Sequence, residues 1–209
     1  MIETSTLVLS PGRTGSVLLA QNLSKLFYTS GQIQYYTEPQ DLQQLKFTRS
    51  IAHSHLLFLP EQLQGITVFY SVRRDLKAAL ISHYIASVTN LYHLTPQETR
   101  PDIAPIEVNS VWMEQIIQQH QQWYQHYQSQ LTDQSRVIVY EMMVDHLDPQ
   151  SVGYQRLYPD KADLITNYAD VVDWLNRRVP DSLKQAHGDF IDYEIRPTQG
   201  MYRWAAGIR

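Results

Sequence analysis

The sequence predicts an α/β fold, a single domain built on a central, mainly parallel sheet flanked by helices. Three observations predict it. Short runs of β-branched and aromatic residues alternate with segments whose apolar residues recur at helical spacing. The first of these runs ends in a corner rich in Pro and Gly that feeds directly into a helix, the strand-to-helix join of a parallel sheet. The 209 residues, 43% apolar and 18% charged, suffice to bury one full core, and no internal repeat or linker divides them.

The elements follow in order. STLVLS (5 to 10) reads as a buried strand, and the helix after its loop shows Leu19, Leu23, Leu26 and Phe27 on one side. IQYYTE (33 to 38) reads as the second strand, RSIAHSH (49 to 55) as the third and ITVFYSV (66 to 72) as the fourth. In RDLKAALISHYIAS, after the fourth strand, Leu76, Ala79, Leu80 and Tyr84 share a helix face. The pattern fails over about 90 to 110, where Pro96, Pro101 and Pro105 mark an irregular insertion of the kind that serves as a lid or binding segment. VWMEQIIQQHQQWYQHYQSQL returns to helix, with Trp112, Ile116, Trp123 and Tyr127 predicted inward. SRVIVYEMMVD supplies a fifth strand at about 135 to 140, and YADVVDWLNRRV a helix ended by Pro180. The tail, RPTQGMYRWAAGIR, is basic and aromatic.

Composition excludes several classes of function. The net charge of -4, with no run of Lys or Arg, argues against nucleic-acid or membrane-surface binding driven by bulk electrostatics. Cysteine is absent, so there is no disulfide, thiolate metal site or thiol nucleophile. MIETSTLVLS lacks the basic start of a signal peptide and no run approaches a membrane span, so a cytoplasmic protein is expected.

The chemistry concentrates at two strand ends. In LVLSPGRTGSVLLAQNL (7 to 23) a strand, a Gly-containing loop with Arg13, and a helix start direct unpaired N–H groups and helix-dipole potential toward one point, which suits an anion. The triphosphate loop pattern GxxxxGK[ST] is not met, because Ser16 follows Gly15 with no Lys, and the dinucleotide pattern GxGxxG is absent. VRRDLKAALIS then places Arg74 and Ser82 eight residues apart at the end of the fourth strand, with Arg73 able to share the role. A guanidinium fork suits a phosphate. Beside these stand His53 and His55 in IAHSHLLFLPEQL, Glu38 in YYTEPQ, and VIVYEMMVDHLDP with Glu141.

PGRTGSVLL resembles the phosphate loop of sulfotransferases that use 3′-phosphoadenosine 5′-phosphosulfate (PAPS), with Gly12 as an extra residue between Pro11 and Arg13. The Arg74 to Ser82 spacing, the IAHSHLLFLP stretch and VIVYEMMVDHLDP are similar to further segments of that family, so that the resemblance covers roughly residues 5 to 148. It implies a P-loop-like sulfotransferase architecture and PAPS as co-substrate, with no metal. Arg13 would neutralise the leaving 5′-phosphate, with Gly12, Thr14, Gly15, Ser16 and Val17 supplying hydroxyl and backbone donors. Arg74, Arg73 and Ser82 would hold the 3′-phosphate, and Glu141 would orient its neighbours. His55 is the first choice of base and Glu38 the second, while His53 replaces a Lys of the family. In the tail, Arg203 or Arg196 would approach the 3′-phosphate and Trp204 or Tyr202 would stack on adenine. Tyr35, Tyr36, His83 and Tyr84 would line the pocket of a small-molecule or saccharide acceptor, whose hydroxyl or amine receives the sulfuryl group. Two alternatives stay open: a P-loop small-molecule kinase or NTPase, and a catalytically silent nucleotide-binding protein.

Overall fold

The computed structural model describes residues 5–27, 33–36, 38, 40–47, 50–91, 102–132, 135–146 and 161–195. Among the described residues the chain runs β1 (Thr6–Leu9), α1 (Ser16–Phe27), β2 (Ile33–Tyr36), α2 (Asp41–Phe47), β3 (Ile51–Ser54), β4 (Thr67–Val72), α3 (Leu76–Thr89), α4 (Ser110–Gln128), β5 (Arg136–Val139), α5 (Tyr140–His146), α6 (Tyr168–Arg178) and α7 (Asp181–Asp192). The strands form one sheet in the order β2-β3-β1-β4-β5, and every pairing is parallel.

A parallel sheet needs cover on both faces, and the side-chain alternation of β1 provides for it. Leu7 and Leu9 enter the larger core with Ala52, Tyr70, Val72 and residues of α3, α4, α6 and α7. Val8 faces the opposite way, joining Ile51, Phe69, Leu19 and Leu23 of α1, and Met143 of α5. Each fully buried side chain of this kind contributes about 1.5 to 3 kcal/mol of transfer free energy. On the larger side, Trp123, Tyr124, Tyr127, Tyr70 and Phe190 meet ring to ring at centroid separations of 5.0 to 6.2 Å.

The predicted strands are all present, each trimmed by a residue or more. β5 is cut short because Tyr140 already begins α5. Trp112 is a correction: it is 50% exposed, and Met113 occupies the inward position instead. Asn109 caps α4 by accepting from the N–H groups of Val111 and Trp112, which sets the helix phase so that Met113, Ile116, Ile117, His120, Trp123, Tyr124 and Tyr127 are buried. The sequence pattern does not mark α7, which Pro180 precedes as N-cap and in which Leu183, Ala186, His187 and Phe190 lie inward.

Of the expected insertion, residues 102–109 carry only an isolated bridge, Ile106 with Ile165. Tyr84 fixes this stretch: its hydroxyl donates to the Glu107 carbonyl at 3.3 Å and accepts from Asn109 N at 2.7 Å. Pro96 and Pro101 lie outside the described residues. No described helix is long and apolar enough to cross a membrane.

The order of the strands locates the site. From β1 the chain leaves toward β2, beyond β3, whereas from β4 it leaves toward β5 at the other edge. Neighbouring strands whose connections depart in opposite directions leave a crevice at their carboxyl ends, where ligands of α/β sheets bind. Residues 10 to 15 and 73 to 75 flank that crevice.

Candidate functional site: a cationic crevice at the ends of β1 and β4

The β1 corner requires its glycines. Gly12, Arg13 and Gly15 have φ of 100°, 55° and 82°. Arg13 is thus a non-Gly residue in the left-handed region, at a cost of about 1 to 2 kcal/mol. A Cβ on Gly15 would stand 2.5 Å from Tyr140 Cδ2, and one on Gly12 would stand 3.2 Å from the His83 ring. Glycine is therefore needed here for close approach as well as for φ.

Thr14 anchors the loop to β4. Its Oγ1 donates to the Ser71 carbonyl at 2.7 Å, and Ser71 Oγ donates to the Thr14 carbonyl at 2.7 Å. The Thr14 hydroxyl is thus committed to β4, unlike the donor role expected for it. The first helical bond of α1 runs from Leu19 N to Gly15 O at 2.9 Å. Gly15, Ser16 and Val17 precede that first donor, so their N–H groups stand at the open, positive end of α1.

At the β4 corner the structure brings Ser82 to Arg73, not to Arg74. Arg73 Nη1 donates to Ser82 Oγ at 3.2 Å and Nε to Glu141 Oε1 at 3.1 Å, while Cζ stands 4.8 Å from the Tyr140 ring centroid. His187 Nε2–H donates to the Arg73 carbonyl at 2.7 Å. The second Glu141 oxygen accepts the Arg74 N–H at 2.8 Å, so one carboxylate holds both arginines, as expected of Glu141. The Arg74 side chain, 53% exposed, turns instead to Glu194, with Nη2 to Oε2 at 2.6 Å. Consecutive residues leaving a strand point to opposite sides, so only one of the pair can reach Ser82. Asp75 caps α3 by accepting from Ala78 N at 2.9 Å.

His55 follows β3, next to the β1 corner. Its Nδ1 lies 2.9 Å from both the carbonyl and the hydroxyl oxygen of Ser10. A carbonyl only accepts, so the network assigns the proton to Nδ1 and the lone pair to Nε2. His55 is solvent-exposed. Burial lowers its pKa, the Ser10 carbonyl raises it and Arg13 lowers it; the net shift is downward from 6.5. The loop behind it is pinned by Tyr127, whose hydroxyl accepts from Phe58 N and donates to the Leu56 carbonyl, each at 2.9 Å.

His83 packs over Gly12 and pairs through Nδ1 with Nε2 of the fully buried His120 at 3.1 Å. Burial, then His55, then Arg13 lower the pKa of His83 to about 4, so both rings of this pair are neutral at pH 7. His53 is buried, 6.1 Å from His55 between ring centroids. Tyr84, expected in the acceptor pocket, is 2% exposed and belongs to the core. Glu38 is exposed in the turn before α2, where its backbone N–H meets Asp41 and its carboxylate meets Gln40. The side chains of Tyr35 and Tyr36 lie outside those described, as do Arg196, Tyr202, Arg203 and Trp204.

One cation escaped the sequence reading. Lys161, between α5 and α6, donates from Nζ to the Ala78 carbonyl of α3 at 2.8 Å. Burial, then Arg73, lower its pKa to about 7, with Arg13 adding to the fall and Asp75 and Glu141 opposing it. Lys161 thus feels Arg73 at one corner and Arg13 at the other, together with the carboxylates of Asp75 and Glu141. No local motif announces such a lysine.

A scan against protein-family models matches none, and searches of curated proteins and of solved structures find no significant similarity.

Proposed function

We propose that the crevice binds PAPS and that the protein transfers its sulfuryl group to a hydroxyl or amine of a small or saccharide-like acceptor, within a P-loop-like sulfotransferase architecture. The observation that carries this reading is the Arg73 to Ser82 hydrogen bond at 3.2 Å, a prepared phosphate fork across the crevice from the Arg13 loop. Its members are held by Glu141, Tyr140 and His187 before any ligand arrives, so little side-chain entropy is left to lose on binding. The parallel sheet, its switch point between β1 and β4, and the open start of α1 support the same reading.

PAPS supplies an activated sulfuryl group on a phosphate leaving group. Arg13 and the N–H groups of Gly15, Ser16 and Val17 would take the negative charge that builds on the 5′-phosphate as the S–O bond to it breaks. The acceptor oxygen or nitrogen forms the new bond to sulfur, and its proton passes to His55 Nε2. Ser10 holds the His55 tautomer needed for that task, and a lowered pKa keeps the ring unprotonated at neutral pH. Glu38 is the weaker base on this reading, since it stands exposed and bonded within its own turn.

The test is a thermal-shift assay with PAP, the product nucleotide, followed by transfer of radiolabelled sulfate from PAPS across saccharide and phenol panels. A rise in melting temperature with PAP, absent with ATP and magnesium, supports the reading, and an unchanged curve at millimolar PAP overturns it. PAP binding without transfer to any acceptor would assign the silent nucleotide-binding alternative.

A further inference from the structure

We infer that Lys161 is a third donor to the group held by Arg73 and Ser82, and that this end of the crevice is therefore built for a terminal phosphomonoester dianion. The inference rests on the nucleotide reading above and adds to it a residue, Lys161, that neither the sequence motifs nor the resemblance supplies.

Helix geometry carries the first step. In an α-helix the carbonyl of residue i points at the N–H of residue i+4, and the two residues stand one above the other on one face. The acceptor of Lys161 Nζ is the Ala78 carbonyl, and residue i+4 from Ala78 is Ser82. The ammonium is therefore lodged about one helical turn from the hydroxyl that Arg73 already meets.

Charge carries the second step. The charged groups that act on Lys161 are Arg73 and Asp75 at the β4 corner, Arg13 in the β1 loop and Glu141 on α5. Both carboxylates are engaged elsewhere: Glu141 holds the two arginines and Asp75 caps α3. Among the described residues Lys161 enters no ion pair, and one carbonyl uses one of its three donors. A half-buried ammonium that feels a guanidinium and, among the described residues, pairs with no carboxylate raises the free energy of the empty protein. A dianionic phosphomonoester relieves that repulsion and accepts from Arg73, Ser82 and Lys161 together, whereas a diester monoanion balances less of the charge. Lys161 would then be more fully protonated in the complex than in the empty protein, so binding should draw in protons above pH 7.

Calorimetric titration of the full chain and of Lys161→Met with PAP and with adenosine 5′-monophosphate tests this. The expected result is a PAP affinity about tenfold to a hundredfold lower in Lys161→Met, with 5′-monophosphate affinity little changed. At pH 8 the heat of PAP binding to the unaltered chain should vary with buffer ionisation enthalpy, and this dependence should fade in the variant. Lys161→Arg, which keeps the charge, should retain most of the affinity and controls for misfolding. Equal losses for both nucleotides, or no loss with PAP, would overturn the inference while leaving the nucleotide reading intact. If the unaltered chain binds neither nucleotide, that reading fails, and phosphorus NMR titration with inorganic phosphate decides this one alone. Phosphate binding weakened by Lys161→Met supports it, and phosphate binding that is absent or unaffected overturns it.

Discussion

Arg73 Nη1 stands 3.2 Å from Ser82 Oγ, nine positions along the chain, while the neighbouring Arg74 turns its guanidinium to Glu194. The two arginines should therefore respond differently to truncation. Arg73→Ala is expected to lower PAP affinity about a hundredfold, since it removes charge-assisted bonds worth about 1.5 to 3 kcal/mol each. Arg74→Ala breaks its pair with the largely covered Glu194, away from Ser82, so it should cost stability but leave affinity within a fewfold. Thermal shift with PAP on both variants measures the difference.

On the proposed reading Glu141 would act on a bound nucleotide through the arginines it holds. Glu141→Gln keeps the shape but loses the charge opposite Arg73, whose side chain is 18% exposed. The expected outcome is a loss of about 1 to 3 kcal/mol in urea unfolding and weaker PAP binding. Glu141→Asp should recover part of the stability and less of the binding, because the shorter arm cannot reach Arg73 Nε and the Arg74 N–H together.

The glycines separate close approach from backbone strain. Gly15→Ala meets both, with Tyr140 at 2.5 Å and φ of 82°, and should cost about 3 kcal/mol or more. Gly65→Ala meets only the strain, having nothing within 4 Å and φ of 79°, and should cost about 1 kcal/mol. Gly188→Ala, in the middle of α7 with open space around it, should stabilise by about 0.5 to 1 kcal/mol. Urea midpoints for the three variants test this ranking.

The first glycine of this set shows what the sequence could and could not reveal. PGRTGS disclosed the corner, because a strand followed by glycines and a helix is local chemistry. It did not disclose that the Thr14 hydroxyl is spent on Ser71, 57 residues away. The sheet was legible for the same reason: β1, β2, β4 and β5 are compact runs rich in β-branched or aromatic residues. Helix α7 was not, since DSLKQAHGDFID reads as polar until Leu183, His187 and Phe190 are seen meeting α4 and Arg73. The family resemblance named Arg74 as the partner of Ser82, but a matched pattern cannot tell which of two adjacent arginines faces the helix. Lys161 joins the crevice through a carbonyl 83 residues away, a contact no motif encodes.

The neutral histidines set the response to acid. His83 has its pKa lowered from 6.5 to about 4, so the unfolded chain binds more protons than the folded one between those values. Stability therefore rises with pH through this window and is lost as pH falls from 6.5 toward 4. His120, fully buried and held well below 6.5, acts in the same direction. Urea midpoints measured across the window should fall with acidification, and His83→Gln should make the fall shallower.

On the sulfotransferase proposal, His55 would set the acid limb of the rate profile. Its pKa lies below 6.5, so the base form dominates at neutral pH and kcat/KM for sulfuryl transfer should decline only in the acid range. His55→Gln is expected to lower kcat about a hundredfold or more with PAP affinity preserved, whereas Glu38→Gln should do neither.

The central claim is that Arg13 and Arg73 grip opposite phosphates of one nucleotide, and a calorimetric comparison of PAP with adenosine 5′-monophosphate tests it most directly. The unaltered chain should prefer PAP; Arg73→Ala should erase that preference, and Arg13→Ala should weaken both ligands while preserving it. No heat from PAP at millimolar concentration, or a preference that survives Arg73→Ala, would contradict the account.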